Sequence, residues 1–97
     1  MLRLALFASL LAGTALAEPG YFRVTDVASD DTLNVRALPD AHSEDIGDLA
    51  HDQTAVEVID TDESGDWGRI VWEESHGWVA MRFLEPDDIA MIGQSRL

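Results

Sequence analysis

Residues 60–66 read Asp-Thr-Asp-Glu-Ser-Gly-Asp, a run dense in carboxylates. Such oxygens suit a hard cation. Asp60, Asp62, Ser64 and Gly65 fit the first half of the calcium loop found between paired helices. That loop must end in a bidentate Glu, and here the final position is Val71 with no flanking helix. The run therefore reads as a hairpin turn, with weak calcium binding left open. His42, His51 and His76 fall in separate turns at irregular spacing, whereas zinc sites want ligands at short fixed spacings. No metal and no cofactor is expected. Ser43, Ser64, Ser75 and Ser95 lie in turns or the tail without a nucleophile-elbow pattern, and there is no Cys. Carboxylate pairs arise by chance in a chain with nineteen acids. Enzymatic chemistry is not expected. What remains is binding, and the candidates are the aromatic residues.

The elements that must position them begin after a leader. Met1-Leu2-Arg3 is a short basic start, Leu4 to Leu16 is apolar or small, and Ala15-Leu16-Ala17 is a small-x-small cleavage pattern. Residues 1–17 read as a signal peptide. The apolar run is too short for a spanning helix, which needs about 20 apolar residues. Removing the first 17 of 97 residues leaves 80, enough for one small domain in the periplasm or secreted, with no stable membrane anchor. A chain of this size buries roughly 60% of its unfolded surface, so its core must suffice without disulfides.

Charge narrows the partners further. Nineteen acids face six arginines and no lysine, for a formal charge of −13. A nucleic-acid role is excluded on this ground, since phosphate binding needs a basic surface. Anionic membranes are disfavoured too. Two readings of the charge remain: it keeps a small exported monomer soluble, or it attracts a cationic partner.

Alternation dominates the pattern. Phe22 and Val24, Leu33 and Val35, Val56 and Val58, and Ile70 and Trp72 alternate with polar neighbours. Turn residues separate the runs at Ser29-Asp30-Asp31, Pro39-Asp40, Glu63-Ser64-Gly65-Asp66 and Ser75-His76-Gly77. Five short strands in about 65 residues predict a small antiparallel barrel or sandwich. Glu85-Pro86-Asp87-Asp88-Ile89 carries a helix-start signal, so residues 86–97 read as a short helix, a tail or a linker.

The series "LNVRALPDAHSEDIGDL", "TAVEVID", "GDWGRIVW" and "HGWVAMRFLEP" resembles the bacterial SH3 domain family over residues 21–85. One departure is Leu38 before Pro39, where that family usually has a small residue. The resemblance implies an all-β fold: a five-stranded SH3-like barrel spanning residues 18–85, with no catalytic role. It implies a module that binds a peptide of an envelope protein or cell-wall peptidoglycan. The alternative is a structural appendage of a larger periplasmic protein.

Within that resemblance, Trp67 looks like the groove tryptophan of eukaryotic SH3 domains and Phe83 like their closing tyrosine. Ala80 stands where their proline would be, and Trp78 replaces a common tyrosine. Tyr21 is a further aromatic that could lie nearby. The same side chains admit a bland reading, in which Trp72 and Phe83 are core and Trp67 and Trp78 are half-buried cover. The binding reading names Trp67, Trp78, Phe83 and Tyr21, bordered by Asp62 and Asp66. An acidic rim around apolar walls suits a peptide with apolar and basic residues. Arg36 reads as a residue pinning the loop after Pro39, against Asp40, Glu44 or Asp45, rather than as a ligand contact.

Overall fold

The structure is a computed structural model and describes residues 19–88. The leader and the segment Ile89–Leu97, with the helix expected there, lie outside the described residues. Among those described, no helix is long and apolar enough to cross a membrane.

The chain is all-β. Seven strands form one antiparallel sheet: β1 (Gly20–Val24), β2 (Thr32–Arg36), β3 (Asp45–Ala50), β4 (Val56–Thr61), β5 (Trp67–Trp72), β6 (Ser75–Ala80) and β7 (Leu84–Pro86). A 3-10 helix (Met81–Phe83) links β6 to β7. The strand order is β3-β2-β6-β5-β4-β1-β7, and β3 and β7 are its two edges. The sheet narrows at one point, where β2 meets β6 through the single pair Arg36 and Trp78.

Each alternating run is a strand, and its apolar set faces the core. Phe22, Val24, Leu33, Val35, Leu49, Val56, Val58, Ile70, Val79 and Leu84 form one buried cluster. Trp72, Met81, Phe83 and Val27 pack on it, partly buried. Side chains on a strand alternate between faces, so the polar partners Asn34, Arg36, Glu57 and Arg69 turn outward.

The strand count departs from the expected five. β3 reads as loop from its sequence, because Asp45-Ile46-Gly47-Asp48 is poor in strand formers. It forms because β2 offers an antiparallel partner from Thr32–Ala50 to Val35–Gly47, and only Leu49 of its six residues is buried. β7 departs for a different reason. Pro86 does not open a helix; it pairs with Phe22 on an edge strand, where its missing N–H costs no ladder bond. The fold thus runs past residue 85. Asp87 beyond it is buried, and its N–H donates to the Tyr21 carbonyl at 2.9 Å.

One expected turn is also displaced. Ser75, His76 and Gly77 belong to β6, and the turn is Glu73-Glu74 with Glu73 at φ 53. Gly77 is needed in the strand for space: a Cβ there would run into Cγ1 of Val35.

On the outer face, Asp60, Arg69, Trp78 and Arg36 lie in register across β4, β5, β6 and β2. Arg69 grips Asp60 with two bonds, Nε to Oδ1 at 3.2 Å and Nη2 to Oδ2 at 2.7 Å. That hydrogen bonding holds the Asp60 carboxyl below its ordinary value of 3.8. A carboxyl depressed on folding stabilises the protein above its unfolded pKa and loses that contribution as pH falls through the folded one. The melting-point gap between the wild type and Asp60→Asn is therefore expected to be widest above pH ~4 and to close on further acidification. Thermal scans between about pH 5 and pH 2 read this directly; a constant gap would remove the linkage.

Candidate functional site

The turn after β4 is built around Asp62. Its Oδ1 accepts from the N–H groups of Gly65 at 3.1 Å and Trp67 at 3.2 Å. Ser64 Oγ donates to the same carboxylate at 3.0 Å and accepts from the Asp66 N–H at 3.0 Å. Backbone bonds from Gly65 N to Asp62 O and from Asp62 N to Trp67 O, both 3.0 Å, close the turn. Gly65 sits at φ 81, where a Cβ would be strained. The carboxylate is thus committed to fixing the start of β5. Asp60 is likewise committed to Arg69. Among the described residues, no three His, Cys, Asp or Glu side chains come together as a metal site.

With the turn fixed, Trp67 is placed at the first position of β5, half-buried. The 3-10 helix is tied to the same turn, since the Met81 N–H donates to the Asp66 carbonyl at 2.8 Å. From the other side, the Thr25 N–H donates to the Phe83 carbonyl at 2.8 Å. The Arg82 guanidinium lies over the Phe83 ring at 4.5 Å from its centre. Trp67, Ala80, Met81, Arg82 and Phe83 therefore form one wall of an open groove of about 810 Å³.

The opposite wall comes from β2 and the loop after it. Thr32, Leu33, Asn34, Arg36 and Ala41 line it, and Gly65 and Asp66 close the end. That loop is held by Ser43. Its Oγ donates to the Asp40 carbonyl at 2.7 Å and accepts from the Leu38 N–H at 3.2 Å. Arg36 Nη1 donates to the Ser43 carbonyl at 3.1 Å. Arg36 thus pins the loop through a backbone carbonyl; no carboxylate of Asp40, Glu44 or Asp45 lies within ion-pair distance of it. The Asn34 amide, with its oxygen toward Arg36 Nη2 and its nitrogen toward Asp48 Oδ1, meets each at 3.0 Å. Leu38 is 60% exposed at the loop, so its bulk needs no room in the core.

The six residues singled out from the sequence separate in space. Trp67, Phe83 and Asp66 share the groove. Trp78 lies outside its lining, half-buried on the outer face of β6, in register with Arg36 and Arg69. Tyr21 lines a shallower depression of about 220 Å³ with Leu49, Gln53 and Trp72. Asp62 serves the turn. Sequence reasoning passed over Arg82 as part of the groove and placed Arg36 outside it. The signal available was scarcity: few arginines stand in so acidic a chain, and one of them adjoins the candidate Phe83. Compared with known proteins, the chain matches no family model and no curated protein.

Proposed function

We propose that the chain is an exported, non-catalytic SH3-like module whose groove binds an extended peptide segment or the peptide-bearing cell wall. One observation carries it: Trp67 and Phe83, far apart in sequence, line a single open groove of about 810 Å³. Flat aromatic walls favour an extended ligand because they give large contact at small entropic cost. The SH3-like part of the reading rests on the ordered motifs, which fall on β2, β4, β5 and β6 in chain order. The sheet itself has seven strands with free edges at β3 and β7. Export rests on the leader pattern of residues 1–17.

The test compares the wild type with Trp67→Ala and Phe83→Ala for binding to purified sacculi and to an array of extended peptides. Each variant is first shown to melt cooperatively. Loss of a central aromatic anchor is expected to weaken binding by roughly tenfold or more. Equal binding by all three proteins would misplace the site. No binding by the wild type would sink the module reading in favour of an accessory, structural role.

A further inference from the structure

We propose that the groove selects a ligand bearing carboxylates, namely an extended acidic peptide whose glutamate or aspartate side chains meet Arg36 and Arg82. This rests on the groove being a peptide site, and it reverses the polarity that an acidic rim would suggest.

The starting point is where the positive charge goes. The described residues hold four arginines: Arg23, Arg36, Arg69 and Arg82. Arg23 is paired with Glu85, and Arg69 is paired with Asp60. Among the described residues, Arg36 and Arg82 meet no carboxylate within ion-pair distance, although the chain holds nineteen acids. Both line the same groove. Acids outnumber arginines nineteen to six in the chain, yet the groove lining holds these two arginines and a single acid, Asp66. Of the two acids expected to border the site, Asp62 is occupied by the backbone of its own turn, and Asp66 is the one that stays in the lining.

Both guanidinium groups are also held ready. The Arg82 guanidinium sits over the Phe83 ring, 4.5 Å from its centre, which holds the charge beside an aromatic of the groove. Arg36 gives one donor to the Ser43 carbonyl and one to the Asn34 amide oxygen. A guanidinium carries further N–H donors, so Arg36 keeps some for a ligand. A planar donor fork matches a carboxylate in two-bond geometry. In the same groove, Leu33, Trp67, Met81 and Phe83 supply apolar contact. The combination fits a peptide that alternates acidic with apolar residues. A large polyanion such as nucleic acid would meet the −13 charge of the whole chain. A short acidic peptide meets chiefly the two arginines and the nearby Asp66 and Asp48, because charges beyond about 8 Å are screened at physiological ionic strength.

The experiment is a titration of the isotope-labelled full chain, followed by the tryptophan indole N–H signals at physiological salt. The probes are three capped heptapeptides of proline and leucine carrying two glutamates, two glutamines or two lysines. The expected order of affinity is glutamate, then glutamine, then lysine, with the Trp67 signal moving. Arg82→Gln is expected to weaken the glutamate peptide ~fivefold more than it weakens the glutamine peptide. Asp66→Asn is expected to act in the opposite direction, since it removes the one acid of the groove. Equal binding of glutamate and glutamine peptides, or tighter binding of the lysine peptide, overturns the carboxylate preference and leaves the peptide site standing. An unaltered affinity in Arg82→Gln overturns it as well. Failure of all three peptides to move the Trp67 signal overturns both the preference and the peptide site.

Discussion

Gly77→Ala is expected to destabilise the protein by about 1–3 kcal/mol, the range for forcing an extra methyl group into a packed core. Gly77 lies in β6 opposite Ile70, and its α-carbon faces inward. A methyl group there would run into Cγ1 of Val35 and come within 3.3 Å of Cδ1 of Ile46 and 3.6 Å of the Arg36 carbonyl. Val35 is fully buried, and a β-branched side chain has little rotamer freedom with which to yield. Relief from reduced unfolded-state entropy is smaller, about 0.4–1 kcal/mol, so the clash decides the sign. In a domain this small, each kcal/mol lowers the melting point by about 4–8 °C. Urea denaturation of the single variants and of Gly77→Ala with Val35→Ala checks the cause. The double variant should lose less than the two singles together, because they share one contact. Strict additivity, or a wild-type melting point for Gly77→Ala, would remove the close approach. The consequence reaches the groove: Gly77 adjoins the one bridge between β2 and β6, so it governs how closely Arg36 approaches Trp78.

The strands that build the core were legible because burial on one face imposes a period of two. Phe22 and Val24, Leu33 and Val35, and Val56 and Val58 each show it, and each pair is buried. β3 was not legible for the converse reason. With one buried residue in six, its sequence is free to be Asp-Ile-Gly-Asp, and its strand is imposed by the neighbour. Gly77 misled because glycine signals a turn and a close approach equally well. The pattern has no way to distinguish them without knowing that Val35 lies opposite.

The site was legible in part. Trp67 and Phe83 share the groove because a turn fixed by Asp62 and a 3-10 helix tied to Asp66 bring them together. The family pattern groups Trp78 with them, and Tyr21 joins as a further aromatic, whereas their places on β6 and β1 lead elsewhere. The acidic run divides in three dimensions. Counted along the chain it is a rim of negative charge. In the fold its Asp60 pairs with Arg69, its Asp62 accepts from backbone donors, and its Asp66 lines the groove. Charge counted from composition gives the far field, while pairing decides what a ligand meets at contact distance.

Asp87→Ala is expected to have a comparable effect, a loss of about 1–3 kcal/mol, and to act through the backbone. Asp87 is 5% exposed, and its Oδ2 accepts from the Ala55 N–H at 2.9 Å. Ala55 holds φ 55, a left-handed conformation that a residue with a Cβ adopts at a cost of about 1–2 kcal/mol. The carboxylate therefore secures a strained turn leading into β4 by accepting from its amide. Removing it takes away that acceptor, while Asp87→Asn keeps one and should lose less. Ala55→Gly in the Asp87→Ala background should recover part of the loss, because glycine enters this conformation without the Cβ penalty. Urea denaturation of the four proteins separates the two contributions. A wild-type midpoint for Asp87→Ala would show that the contact carries no stability, and failure of glycine to rescue would show that the strain at Ala55 is no part of the loss. The effect should extend beyond stability. β4 starts at Val56, right after Ala55, and leads to the turn that Asp62 closes, so loosening its start frees the segment that presents Trp67 to the groove.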